Sequence, residues 1–494
     1  LWDAGIPKEI LQFLPMEDGP VGQQLISDPR TAAVILTGST QTAQLFQSWR
    51  PDLNLFAETS GKNAMVITAA ADVDLAIKDL VRGAFGHAGQ KCSATSLALV
   101  EASIYDSPKF KQQLLDAASS LHVGPAWDPK AVVTPVIREP DPNLKRGLTQ
   151  LDEGESWLLE PQMIDNNPCL WSPGIRWGVQ KGSWYHQNEC FGPVLGVIRV
   201  ADLDEAIAVQ NSSRLGLTGG IHSLDPAEIA KWREEVEVGN AYINRGTTGA
   251  VVQRQPFGGW KDSSVGPGVK AGGPNYVAAF REWSNDESES PTASNASGSF
   301  DNTTGALIKS LKKHLPDLHQ TLQASIASYS HWWHQEFSVE HDPSKLHGQT
   351  NDFCYRPQPQ HVLRISPATE LKPDELLAVA QTLAACQITN CPLFISLDRS
   401  VDAIEAMLAE VSWAMAAETR TESTEGFIKW LQSLNHGTLR ILRDYQPEQF
   451  APSVIGNKFT VSSTVLSNGR VELLNYLREQ AISETVHRYG NISS

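Results

Sequence analysis

An α/β fold built on a largely parallel sheet is what this sequence predicts, and three observations carry that expectation. Apolar runs of strand length alternate along the chain with stretches whose apolar side chains recur at helical spacing. Glycine, serine and aspartate punctuate the junctions between them. The 494 residues suffice for two or three domains with sizeable cores.

Taken in order, residues 9–15 and 32–36 read as short strands. The second breaks at Thr37-Gly38-Ser39-Thr40 into a helix over 41–49, so a strand, a tight turn and a helix N-terminus follow one another. Such an end offers unpaired N–H groups and a positive dipole that suit a phosphate; it is equally what an ordinary serine-capped turn looks like. No G-x-G-x-x-G accompanies it. Over 72–85, the residues Val73, Ala76, Ile77, Leu80, Val81 and Ala84 keep a helical rhythm up to Gly86. Cys92 therefore falls in a glycine-containing loop just past a helix. Residues 96–100 predict a strand, and 108–121, 204–210 and 226–235 predict helices.

Residues 284–305 hold almost no large apolar side chain. Such a stretch buries too little surface to offset its ordering entropy, which predicts a flexible linker and a domain boundary. Beyond it, 362–365, 393–397 and 439–442 read as strands, with helices over 375–386 and 401–411. A second α/β domain follows from that alternation, without a cysteine loop, a phosphate turn or an acid/base pair of its own.

The formal charge of −16 argues against nucleic acid, since phosphate neutralisation needs a clustered basic surface. No apolar run reaches about 18 residues, so no membrane span is expected. The cysteines (Cys92, Cys169, Cys190, Cys354, Cys386 and Cys391) are irregularly spaced and lack partners at zinc-ligand spacing, so neither a disulfide framework nor a metal is expected. A reducing, cytoplasmic setting is the expectation.

The chemistry concentrates in two segments. Gly89-Gln90-Lys91-Cys92 offers a sulfur flanked by small residues, open to a carbonyl carbon. Glu58, in Glu58-Thr59-Ser60-Gly61-Lys62-Asn63, offers a carboxylate that can activate water against an acyl-sulfur intermediate. Alone, Cys92 reads as a small buried hydrophobe. A cysteine hydrolase is a further reading, although no histidine motif beyond nearby His87 supports it.

Five ordered segments change that balance. The Gly38-Ser39-Thr40 turn, the Glu58 and Cys92 segments, Asn188-Glu189-Cys190-Phe191-Gly192-Pro193 and Gln255-Pro256-Phe257-Gly258-Gly259 together resemble the aldehyde dehydrogenase superfamily. Tyr242-Ile243-Asn244-Arg245 and Lys270-Ala271-Gly272-Gly273-Pro274 resemble its glutamate-semialdehyde (pyrroline-5-carboxylate) dehydrogenase branch, in the form carried by bifunctional proline-catabolic enzymes. The tail, with Trp332-Trp333 and Leu477-Arg478-Glu479-Gln480, is similar to the C-terminal domain of their longer members.

The resemblance implies an aldehyde dehydrogenase-like fold: a partial Rossmann-type NAD-binding domain, an α/β catalytic domain, and a second aldehyde-dehydrogenase-like α/β domain at the C-terminus. The divisions expected are 1–60 for the C-terminal half of the NAD-binding domain, 61–245 for the catalytic domain and 246–283 for the substrate-anchor loop and return segment. A linker (284–305) and a non-catalytic domain (306–494) follow. It implies Cys92 as nucleophile and Glu58 as general base. Gly38 and Ser39 would face the NAD diphosphate, Glu189 the nicotinamide ribose and Phe191 the nicotinamide. Ser93, Ser263, Phe257, Gly272 and Gly273 would hold the substrate, with Ser263 against Ser264 left open because the loop from Gly259 to Lys270 is long for the branch.

The implied reaction is NAD-dependent oxidation of L-glutamate γ-semialdehyde to glutamate, the second step of proline catabolism. Expected partners are the small aldehyde and either a second copy of the chain or a parent proline dehydrogenase domain. The superfamily's side-chain oxyanion asparagine and adenine-ribose lysine would precede Leu1, as would that flavin-bearing (FAD) region, so the chain reads as a truncated piece. The alternative is a catalytically incompetent module serving oligomerisation only.

Overall fold

The computed structural model describes residues 1–285, 305, 307–309, 312–313, 316–366, 372–399, 404, 417–443, 447–450 and 459–486. Three main sheets with helices against them organise these residues, as the alternation predicts, and a two-stranded ribbon pairs Trp260–Lys261 with Leu215–Gly216. The expected helix over 401–411 and nearly all of the expected linker lie outside the described residues.

The first sheet is small. Val34–Thr37 pairs in parallel with Leu55–Glu58, and Ser264–Val265 returns antiparallel on the other side of Leu55–Glu58. Thr40–Trp49 follows the first strand, capped by the Ser39 hydroxyl, which accepts from the Thr42 N–H at 3.1 Å. Ala43, Leu53, Leu55, Ala57 and Val265 form its core. The expected strand over 9–15 does not form. That segment runs through turns into irregular backbone, with Ile10 and Phe13 about four-fifths exposed, and no described strand lies alongside to satisfy its backbone groups.

The second sheet has nine strands and a parallel centre. Its order is Gln349–Pro357, Leu477–Thr485, Asn240–Ile243, Thr218–His222, Asn63–Ile67, Thr95–Glu101, Val194–Val200, Gly174–Trp177 and Ser156–Leu159. The outermost pair at each edge is antiparallel. Strands buried on both faces need continuous apolar runs, and Asn63–Ile67 and Asn240–Ile243 are buried at every position. Val73–Phe85, capped by Asp72 as its periodicity and N-cap predict, covers one face.

The tail is not wholly separate. Gln349–Pro357 and Leu477–Thr485 come from beyond the linker yet extend the nine-stranded sheet, with Ala481 and Ile482 in parallel register with Asn240 and Ala241. The rest of the tail builds a third sheet, all parallel, in the order Ala417–Thr421, Leu393–Leu397, His361–Ile365, Gly437–Leu442, Phe459–Ser462. Pro373–Thr389 packs within the core beside it. No described helix is long and apolar enough to cross a membrane.

Candidate active site

Glu58 is the last residue of its strand, and Cys92 lies in the turn between Gly86–Gly89 and Thr95–Glu101. The fold brings them together: the Glu58 carboxylate and the Cys92 thiol stand close enough that each shifts the other's titration. Burial pushes the thiol up to about 12, reinforced by the adjacent Glu58 charge, and the Ser93 N–H toward the sulfur opposes this. Burial raises Glu58 too, against the nearby thiol and the Lys270 charge. A raised carboxyl beside a raised thiol is a pair set to exchange a proton rather than to stand as two anions.

The loop that carries Cys92 is tied from several sides. Asn63 Nδ2 donates to the carbonyls of Cys92 (2.7 Å) and Ala94 (2.8 Å), while its Oδ1 accepts from Thr218 N–H (3.0 Å). Thr247 donates to the Ser93 carbonyl at 2.9 Å. Gly89 adopts φ 67°, and a Cβ there would meet the Gly192 oxygen at 2.2 Å, so the cysteine loop and the Glu189 loop touch only because residue 89 is glycine. Gln90 completes the join by donating to the Phe191 carbonyl at 3.2 Å.

Glu189 is drawn against the Glu58 segment. Its Oε1 accepts from the Gly61 N–H at 2.9 Å, and burial raises its carboxyl against the Gly61 and Ser60 hydrogen bonds. Beside it, Phe191 is 42% exposed and adopts φ 53°. Gly38 turns at the open end of the first sheet, its N–H on the Glu58 carbonyl at 3.2 Å. A carboxylate, a partly exposed phenylalanine and a glycine-led helix end are group types that suit a dinucleotide's diol, ring and diphosphate.

The substrate-side residues divide. Phe257 exchanges backbone hydrogen bonds with Ala271 (2.9 and 2.8 Å), and both line a cavity of about 80 Å³ with Glu58, Ser264 and Tyr276. Ser263 does not reach it. Its hydroxyl donates to the Ser60 carbonyl (2.6 Å) and accepts from the Gly216 N–H (3.0 Å), so this serine ties the loop down and Ser264 is the one that faces the cavity. Ser93 is buried, and Gly272 and Gly273 continue the loop from Ala271, with Gly272 at φ 75°.

Several contributors carried no signal in the sequence. Asp262 accepts through its carbonyl from Thr40 (3.0 Å) and Thr59 (2.6 Å), and through its carboxylate from His436 (2.8 Å) and Arg214 (3.3 Å). Glu479, from the tail strand, accepts from the Lys270 N–H and the Asn275 amide, each at 2.7 Å, and its carbonyl takes the Trp260 indole N–H at 2.8 Å. Only the motif position of Lys270 hinted at such a role.

Comparison with known proteins agrees with this geometry. The family model described as "Aldehyde dehydrogenase family" matches residues 1–285. The 1-pyrroline-5-carboxylate dehydrogenase of Bacillus subtilis (strain 168) is 35% identical over 286 residues, covering 56% of this chain and 54% of that one. Among solved structures, proline utilization A (PutA) from Corynebacterium freiburgense matches with a TM-score of 0.84 and 40% identity over 99% of this chain, tail included, and 45% of its own. A 1-pyrroline-5-carboxylate dehydrogenase from Thermus, solved with bound NAD, matches at 33% identity and a TM-score of 0.52, covering 57% of this chain and 55% of its own. The chain thus spans about half the length of the curated relatives it matches. The thiol and carboxylate at the head of paired α/β sheets, and a family match over more than half the sequence, place this chain in the aldehyde dehydrogenase family.

Proposed function

We propose that the chain carries out NAD-dependent oxidation of L-glutamate γ-semialdehyde, the open form of pyrroline-5-carboxylate, to glutamate. The observation that carries the reading is the juxtaposition of the Cys92 thiol and the Glu58 carboxylate, brought together from the end of one strand and the turn before another. Its support lies in relatives named for pyrroline-5-carboxylate dehydrogenase and in the PutA likeness over nearly the whole chain.

Glu58 takes the thiol proton, which a thiol held near 12 will not lose to water at neutral pH. The sulfur adds to the aldehyde carbon, and the new oxyanion meets the Cys92 backbone N–H, a donor of the kind worth a few kcal/mol of barrier. NAD, when bound, supplies the hydride acceptor. Gly38 and Ser39 would hold its diphosphate, Glu189 its nicotinamide ribose, and Phe191 its nicotinamide. Glu58, ionised again, then takes a proton from water as that water attacks the thioester, releasing the carboxylic acid and restoring the thiol. The Ser93, Ser264, Phe257 and Gly272–Gly273 surroundings would hold the far end of the substrate, with backbone N–H groups toward its carboxylate.

The test mixes the purified chain with NAD⁺ and pyrroline-5-carboxylate and follows NADH. Turnover that Cys92→Ala abolishes is expected. A folded chain that produces no NADH would move the activity to longer relatives and leave this chain an assembly module.

A further inference from the structure

The turn assigned above to the far end of the substrate is open at its tip and fixed at both feet. The Gly273 N–H returns to the Lys270 carbonyl at 2.9 Å, and Gly272 supplies the positive φ of 75° that the turn needs at its third position. Ala271 and Gly272 are exposed, whereas Lys270 and Asn275 on either side are each 1% exposed.

One carboxylate holds both feet. Glu479, buried on Leu477–Thr485, accepts the Lys270 backbone N–H on Oε2 and the Asn275 amide on Oε1, each at 2.7 Å. The two oxygens of a carboxylate keep a fixed separation, so the feet are set at one spacing by bonds about twice as strong as neutral ones. The tail completes the grip on Asn275. Its Nδ2 also meets the Tyr355 hydroxyl at 3.0 Å, its Oδ1 accepts from Arg470 at 2.9 Å, and Glu336 Oε1 accepts from both Tyr355 (3.1 Å) and Arg470 (3.4 Å). The strand that carries Glu479 is itself fixed, by its pairing with Asn240–Ile243 and by the Trp260 indole N–H on the Glu479 carbonyl. Glu479 does not line the small cavity beside Glu58, so it meets that cavity only through the turn.

We infer that Glu479 is a positioning residue through which the tail sets substrate specificity: by spacing the feet of the 270–275 turn, it holds the glycine backbone in place for a carboxylate on the substrate. The inference rests on the reading of Gly272 and Gly273 as the substrate's anchor.

The test compares two aldehydes in one variant and its repair. Glu479→Gln sets an amide NH₂ against the Asn275 amide, and adding Asn275→Asp restores an acceptor there with the total charge unchanged. Pyrroline-5-carboxylate brings the carboxylate, and pentanal brings the same carbon count without it. Glu479→Gln is expected to raise KM for pyrroline-5-carboxylate about tenfold and to leave kcat/KM for pentanal within about twofold, with most of the KM recovered in the double variant. Tyr355→Phe, which keeps the ring and removes one Asn275 contact, is expected to shift the same KM by about two- to fivefold and to spare pentanal. Equal losses for both aldehydes in both single variants, an unmoved KM, or a double variant no better than Glu479→Gln overturns the inference. A second readout needs no turnover: L-glutamate shields Cys92 from iodoacetamide, and the half-protecting concentration is expected to rise about tenfold in Glu479→Gln and to fall back in the double variant. No NADH from the wild type, with that protection shift present, would sink the proposed oxidation and keep the Glu479 assignment. NADH from the wild type with neither KM nor protection moved would do the reverse, and a folded wild type that neither forms NADH nor is shielded by glutamate overturns both.

Discussion

The nine-stranded sheet and the five-stranded sheet of the tail are built from the same strand-and-helix alternation, and each seals a fully buried ion pair, Arg176 with Glu155 in the first and Arg440 with Glu472 in the second; they differ in the titratable groups gathered beside them. Beside the first sheet, Cys92, Glu58 and Glu189 stand at strand ends and in loops, half-buried, and their partners are one another or backbone N–H groups. In the tail sheet, the buried charges Arg440, Glu472 and Arg364 hold side-chain partners within the core. Arg440 and Glu472 pair at 2.5 Å with both side chains fully buried, joined by the Tyr476 hydroxyl, and Arg364 donates to Ser396 at 2.7 Å. A carboxylate with a permanent guanidinium partner cannot take up a proton usefully, whereas one facing a thiol can. Architecture is shared; what separates the two regions is whether, beyond the buried ion pair each holds, titratable groups gather at the sheet with incomplete partners.

The largest expected effect sharpens that contrast. Glu58→Gln should suppress the first-turnover NADH burst and slow steady turnover by about 10²- to 10⁴-fold, because both the thiol and the attacking water lose their base. Rapid-mixing kinetics would read it, and steady turnover near wild type would break the assignment. In the tail, Glu472→Ala strands the Arg440 guanidinium and should cost about 3–5 kcal/mol in denaturant unfolding while sparing the first-turnover burst. Loss of the burst from a folded Glu472→Ala would erase the distinction between the units.

Acid should affect both units. Burial holds His186 and His222 down to about 4 and His361 well below its usual 6.5. Between 6.5 and 4 the unfolded chain binds protons that the folded chain refuses, so stability present above 6.5 falls as pH drops through that window, by up to roughly 3 kcal/mol per histidine. Chemical denaturation at pH 7 and about 4.5 measures it, and His222→Gln should flatten the dependence.

Smaller again, Asn63→Ala unties the Cys92 and Ala94 carbonyls and should destabilise by about 1–3 kcal/mol with a lower first-turnover rate. Last, His436→Gln removes a partly exposed tie between the tail and Asp262 and should change stability by less than about 1 kcal/mol. A larger loss would mean that the tail holds the Glu58 loop through this one contact.

Particular residues mark how far the sequence could be read. Val73–Phe85, Pro226–Glu235 and Leu393–Leu397 follow from period and caps because local patterns decide them. Residues 9–15 show the limit, since an apolar run becomes a strand only where another strand supplies its hydrogen bonds. Within the site, Cys92, Glu58 and Glu189 stood out through their motifs. Asn63, Lys270 and Glu479 sit in motifs as well, but what they bind was not legible: Asn63 meets Cys92 29 positions away and Lys270 meets Glu479 209 positions away, which no local spacing encodes. The same holds for Ser263, whose hydroxyl is consumed by partners from two distant loops.

By itself, then, the sequence determined the α/β class, most helices and strands, and the residue types able to do the chemistry, because these depend on short-range periodicity and on functional groups. The tertiary structure decided which of those groups meet. It set Cys92 against Glu58, joined Leu477–Thr485 to the catalytic sheet so that Glu479 braces the Lys270 loop, and gave Ser264 rather than Ser263 to the cavity. Proximity between distant segments, and the burial that shifts each titration, are properties of the packed chain and are set only when the sheets close on one another.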